Sequence, residues 1–93
     1  MIVSFRDGRT EAIAKGETRK GFPPDLVTRA VRKLTMLNYA TSLDDLRSPP
    51  GNRLEALKGD RKGQHSIRIN DQWRICFIWT AAGPKDVEIT DYH

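Results

Sequence analysis

The sequence predicts an α+β fold in which two N-terminal helices pack on a compact, antiparallel-rich sheet. Three observations carry that expectation. Val27, Ala30, Val31, Leu34 and Leu37 recur at helical spacing and form one apolar stripe. Trp73, Ile75, Phe77 and Trp79 alternate with Arg74, Cys76 and Ile78, the period-two pattern of a strand. The helical pattern occupies the first half of the chain and the alternating pattern the second, the order of an α+β domain.

Taken in order, Ile2 to Phe5 reads as a short strand, because Ile, Val and Phe suit a pleated surface and Asp7-Gly8 supplies a turn directly after it. Arg9 to Lys15 fits one or two helical turns, with Thr10 as N-cap and Gly16 as the C-terminal stop. Pro23 and Pro24 open the next helix, where a missing N–H costs nothing, and Leu26 to about Tyr39 continues it. Its other side carries Arg29, Arg32 and Lys33, read as solvated charge. Ser48-Pro49-Pro50-Gly51-Asn52 breaks the pattern. Arg53 to Leu57 is at best a short strand, and Lys58 to Gly63 is a polar turn. Ser66 to Ile69 and Trp73 to Trp79 form a hairpin around Asn70-Asp71. Ala82-Gly83-Pro84-Lys85 is a further turn, and a last strand runs from Val87 to His93, with Val87, Ile89 and Asp91 on one side and Glu88, Thr90 and Tyr92 on the other.

Ninety-three residues support one hydrophobic core, so one domain spanning 1–93 is expected. With 38% hydrophobic and 30% charged residues, the chain falls among ordinary globular proteins rather than disordered or membrane ones. No stretch approaches a membrane span, and Met1 to Phe5 followed by Arg6 and Asp7 lacks the charged-then-apolar order of a secretory signal. A cytoplasmic protein without membrane partners is expected. The single Cys76 forms no internal disulfide and no cysteine metal cluster. The net charge of +4 favours an anionic partner. Between Arg47 and Arg74 seven cations face three carboxylates, which places the whole excess in that window. A phosphate-binding surface and a solvated face of scattered charge both fit it.

Metal-hydrolase, acyl-transfer and P-loop signatures are absent, and neither a metal nor a cofactor is expected. What remains is a set of cations and an Asp-Tyr-His terminus. RNA is cut without metal when the ribose 2′-OH attacks the adjacent phosphate, given a base, cations for the phosphorane and an acid for the leaving oxygen. His93 has a pKa range suited to proton transfer. Lys58, beside Gly59, suits phosphate approach. Arg74 either lies on an exposed sheet face or is aimed at a site, and as an off-core residue it is expected to add little to packing. Tyr92 suits base stacking or donation to phosphate, Asp91 suits orientation of His93, and His65 is a second candidate proton carrier. Cys76 reads as a small packing residue. Catalysis, as opposed to binding alone, requires Lys58, Arg74, Tyr92 and His93 to converge on one concave basic face.

Arg53-Leu54-Glu55-Ala56-Leu57-Lys58-Gly59-Asp60-Arg61, the run Ser66 to Phe77 and the closing Asp91-Tyr92-His93 together resemble the HigB toxins of the RelE superfamily. The resemblance covers nearly the whole chain. It implies a RelE-like sheet flanked by two N-terminal helices and a toxin of a type II toxin–antitoxin system. The activity it implies is metal-independent, ribosome-dependent cleavage of messenger RNA in the ribosomal A site, leaving a 2′,3′-cyclic phosphate. It also implies a HigA-like helix-turn-helix antitoxin. The matching positions assign phosphate contact to Lys58 and Arg74, with Asp91, Tyr92 and His93 as the catalytic terminus. Arg53, Arg61, Lys62 and Arg68 are the cations available to bind RNA. One position departs from the pattern: some members carry histidine three residues before the motif lysine, where this chain has Glu55. The same residues also fit a non-catalytic RNA- or DNA-binding module, or a helix–sheet domain whose basic surface meets another protein.

Overall fold

The computed structural model describes residues 1–91, so Tyr92 and His93 lie outside the described residues. Helices α1 (Gly8–Ala14) and α2 (Val27–Tyr39) precede strands β1 (Glu55–Ala56), β2 (His65–Arg68), β3 (Trp73–Thr80) and β4 (Gly83–Asp91). The strands form one antiparallel sheet in the order β1-β2-β3-β4. This is the α+β architecture the sequence predicts.

Asp7, not Thr10, caps α1: its carboxylate accepts from the Thr10 N–H at 2.7 Å. Both residue types cap well, but a carboxylate at the positive helix end gains more. Thr10 is fully buried, and its hydroxyl accepts from Ile89 N at 3.0 Å, tying α1 to β4. Gly16 takes the left-handed conformation just past the helix, φ +83°. A 3-10 turn at Pro24–Leu26 leads into α2, which buries Val27, Ala30, Leu34 and Leu37 and leaves Val31 half-buried. After α2, Ser42 and Asp45 form a capping box, and hydrogen bonds from Thr41 and Ser42 hold the Asp45 carboxyl below its usual range.

The hairpin turns because the Asn70 side-chain oxygen accepts from the backbone N–H groups of Gln72 (2.9 Å) and Trp73 (2.7 Å). Two boundaries differ from the expectation. Ile2 to Phe5 is not a named strand: among the described residues it makes a single parallel bridge, Phe5 to Val87, flanked by Val3 N to Pro84 O (2.7 Å) and Val87 N to Ser4 O (3.0 Å). Gly83, Pro84 and Lys85 belong to β4 rather than to the turn, which is Ala81-Ala82. Gly83 and Pro84 extend the strand by pairing with Thr80 and Trp79 of β3, and Val3 N donates to the Pro84 carbonyl alongside. Gly83 (φ +126°) is required there, since a Cβ would lie 2.2 Å from the Met1 carbonyl oxygen. The β3–β4 register shifts between Cys76 and Ile78, and Asp86, at φ 52°, sits on the bulged side.

The core fills the space between the helices and one sheet face, with Ile13, Leu34 and Leu37 packed among Ile67, Ile75, Phe77 and Ile89. The Trp73 ring meets Phe22 edge-on at 5.0 Å and lies under the Arg9 guanidinium at 5.6 Å. Among the described residues no helix is long and apolar enough to cross a membrane.

Candidate active site

Strand pairing lays out the sheet face opposite the helices. Glu55, Ser66, Cys76 and Glu88 form one cross-strand row, and Arg68, Arg74 and Thr90 form the next. Arg74 is not on an exposed face: it is 8% exposed and laid over the sheet. Its Nε donates to Ser66 Oγ at 2.7 Å, and its Nη2 donates to the carbonyl oxygens of Arg53 at 2.6 Å and Ser66 at 3.3 Å. Arg53 takes the left-handed conformation (φ 45°), ending the 3-10 turn Pro50–Asn52. The guanidinium thus ties β3 to β2 and to the chain entering β1. The expectation that Arg74 adds little to packing is overturned, because the segment folded over it starts more than twenty positions away in the sequence.

Arg61 reaches the same face, donating to Glu88 Oε1 at 3.1 Å and to Gln64 Oε1 at 3.0 Å, with Arg6 at 3.9 Å from the same carboxylate. Glu88 and Ser66 escaped the sequence reading of the site. Alternation along their strands was the signal that could have found them, since each points away from apolar neighbours. Cys76 lies buried between them, and burial pushes its thiol up against the opposing pull of Arg61 and Arg74. Arg68 is ion-paired with Asp71. Lys58 opens the 3-10 turn that carries Arg61, beside a groove of about 390 Å³ lined by Glu55, Ala56 and Leu57. Among the described residues the exposed Lys58, Lys62 and Arg53 side chains have no ion-pair partner, which leaves their charge available.

Asp91 pairs with Trp73 rather than with Arg74, and its carboxylate accepts from Gln72 Nε2 at 3.0 Å. Alternation therefore assigns Asp91 to the Trp73 side. His65 opens β2 opposite Phe77, on the core side, with ring centroids 6.3 Å apart and its Nδ1 buried without a hydrogen-bond partner among the described residues. The structure thus gathers Arg61, Arg68, Arg74 and the Arg53 carbonyl at one face, sets Lys58 at its margin and separates His65 from it. Tyr92 and His93, expected on that face, lie outside the described residues. Among the described residues no group of three or more His, Cys, Asp or Glu side chains is placed to hold a metal ion.

The sequence pattern of the family described as "RelE-like toxin of type II toxin-antitoxin system HigB" matches residues 4–93. Toxin HigB-1 of Vibrio cholerae is 41% identical over 80 residues, covering 85% of this chain and 84% of that protein. Endoribonuclease HigB of Proteus vulgaris is 30% identical over 93 residues, covering 100% of both. The fold is similar to a chain of the YoeB-YefM complex from Staphylococcus aureus, with a TM-score of 0.63 at 16% identity, over 100% of this chain and 98% of that one. The sheet with its two helices and the match over 4–93 agree, and the chain belongs to the HigB family of RelE-like toxins of type II toxin–antitoxin systems.

Proposed function

We propose that this HigB toxin is a metal-independent, ribosome-dependent endoribonuclease that cuts messenger RNA in the ribosomal A site. The observation that carries this reading is the Arg74 guanidinium. It is fixed by hydrogen bonds to Ser66 and the Arg53 carbonyl, with Arg68 as its cross-strand neighbour, on the strand that pairs with the last described residues of β4. A charge held rigidly before the substrate arrives stabilises a phosphorane without reorganising during the reaction. The relationship to the Proteus vulgaris endoribonuclease over the full chain supports the same activity.

In this reading the ribose 2′-OH loses its proton to a base and attacks the adjacent phosphorus. The P–O5′ bond breaks and the departing 5′-oxygen takes a proton from an acid, leaving a 2′,3′-cyclic phosphate and a 5′-hydroxyl. Lys58 and Arg74 neutralise the phosphate. His93 is the proton carrier, Tyr92 stacks on a base or donates to the phosphate, and Asp91, held by Gln72, orients the terminus. Arg53, Arg61, Lys62 and Arg68 contact the RNA backbone. Residues 1–93 act as one domain in the cytoplasm, and a HigA-like helix-turn-helix antitoxin is the protein partner.

Messenger RNA incubated with the toxin, with and without translating ribosomes, tests this through the mass of the new ends. Cyclic phosphate and 5′-hydroxyl ends that appear only with ribosomes are expected. Ends bearing a 3′-hydroxyl and a 5′-phosphate, or no cleavage, would refute it. His93→Gln cleaving at the parent rate would remove the proton-carrier role from His93 and make His65 the next candidate.

A further inference from the structure

A second basic groove lies away from the sheet face, between α2 and the far end of β2. Arg29, Arg32 and Lys33 fall at i, i+3 and i+4 and share one side of the helix. Together with Met36 they line a groove of about 390 Å³, whose other wall is Pro49, Gly51, Arg68 and Ile69. Two of the cations are fixed along it. Lys33 Nζ donates to Asn52 Oδ1 at 2.5 Å, and Asn52 is itself fully buried, donating through Nδ2 to the Leu46 carbonyl at 3.2 Å. Arg29 Nη1 donates to the Ile69 carbonyl at 3.4 Å.

Among the described residues none of the three α2 cations has a carboxylate partner, and the only acid ion-paired to a groove cation is Asp71, which takes Arg68. Partial burial, and then the charges of Arg29, Arg32 and Arg68, pull the Lys33 pKa down. Like charges gathered this way repel one another in the free protein, and an anion between them removes that repulsion. The groove shares Arg68 with the candidate active site. Arg68 is the cross-strand partner of Arg74. Among the described residues β1 pairs only with His65 and Ser66, so the edge of β2 at Arg68 carries no further strand there.

We infer that this groove is a distal subsite for the phosphodiester backbone of the RNA strand that crosses Arg74, with Arg68 as the link between the two sites. The inference rests on the nuclease reading for the identity of the strand, and its test is independent of cleavage. The probe is a single-stranded 2′-O-methyl RNA, which has no 2′-OH to attack and cannot be cut by that route. Its affinity for the full chain is measured across a salt series by fluorescence anisotropy.

Arg29→Gln with Arg32→Gln should weaken binding roughly tenfold at low salt and reduce the slope of log affinity on log salt by about 1.4, the share of two phosphate contacts to a single strand. Arg29→Lys with Arg32→Lys should keep most of that slope, because the charge is retained. A glutamine pair that binds the probe with the parent's affinity and slope would overturn the inference. So would a parent with no salt-dependent binding. A parent that binds the probe yet never yields cyclic-phosphate ends sinks the nuclease reading and leaves the groove assignment standing.

Discussion

Replacing Arg74 with alanine removes three donations at once: Nε to Ser66 Oγ at 2.7 Å, and Nη2 to the carbonyls of Arg53 at 2.6 Å and Ser66 at 3.3 Å. Ser66 is fully buried, so its oxygens lose a partner where water does not reach. A hydrogen bond to a charged group contributes roughly 1.5–3 kcal/mol, and a buried acceptor left unmade costs about 1–3 kcal/mol. Removing a buried charge also returns part of its desolvation cost, which offsets some of the loss. The net expectation is destabilisation by about 2–4 kcal/mol, a large share of the roughly 5–15 kcal/mol typical of a domain. For a chain of this size each kcal/mol moves Tm by about 4–8 °C, so Arg74→Ala should melt on the order of 10–20 °C below the parent. Thermal unfolding followed by circular dichroism reads this directly. Arg74→Lys, which keeps the charge but not the planar fork, should recover only part of the loss, and Ser66→Ala should cost less than Arg74→Ala. Melting of Arg74→Ala within about 2 °C of the parent would refute the reasoning, since the three bonds would then contribute nothing net. Cleavage by the variant must be measured below its own melting point, where a further loss of about 10² in rate reports the chemistry.

Three further outcomes follow from the geometry. Gly83→Ala places a Cβ 2.2 Å from the Met1 carbonyl oxygen at a backbone φ of +126°, so it should lower the urea midpoint by more than any other glycine-to-alanine change among the described residues. A midpoint equal to that of Gly51→Ala, whose Cβ meets open space, would show that the N-terminal segment is not held there. Asp7→Ala should cost about 1 kcal/mol in chemical denaturation through loss of the α1 cap, whereas Thr10→Ser, which retains the hydroxyl that accepts from Ile89, should cost less than Thr10→Val. Cys76 should resist a thiol reagent in the native state and react on unfolding, because burial raises its folded pKa. The neutral thiol's contribution to stability is complete below the ordinary thiol pKa of about 8.5 and is lost as pH rises through the higher folded value. Cys76→Ser should lack that component of the alkaline fall, and rapid labelling of folded protein at neutral pH would contradict the burial.

The elements legible in the sequence are those whose signal is local and repeated. The α2 stripe runs over three turns, and the β3 alternation has Asn70 three positions ahead to close its turn, so no distant residue decides either. Where two local signals compete, tertiary contacts choose: Asp7 and Thr10 are both good caps, and Thr10 is withdrawn because β4 presents the Ile89 N–H to its hydroxyl. Gly83-Pro84 read as a turn yet pair with Thr80 and Trp79 of β3, and the N-terminal segment, eighty positions away, lies against them through Val3 N to the Pro84 carbonyl and Met1 beside Gly83. Alternation placed Arg74 on the face opposite the core, yet alternation carries no information about what covers a face. The covering residue is Arg53, turned into a left-handed conformation after a loop with no periodic signal. In the same way Arg29, Arg32 and Lys33 read as solvated charge because their helix alone shows only spacing. Their groove exists because Arg68 and the Pro49–Gly51 loop close its other wall. Both basic sites are thus built where a strand edge or helix face meets a segment distant in sequence. Substituting such a segment, for example at Asn52, which holds Lys33 through its side-chain oxygen and two loop carbonyls through its amide, should therefore perturb RNA binding without touching any cation.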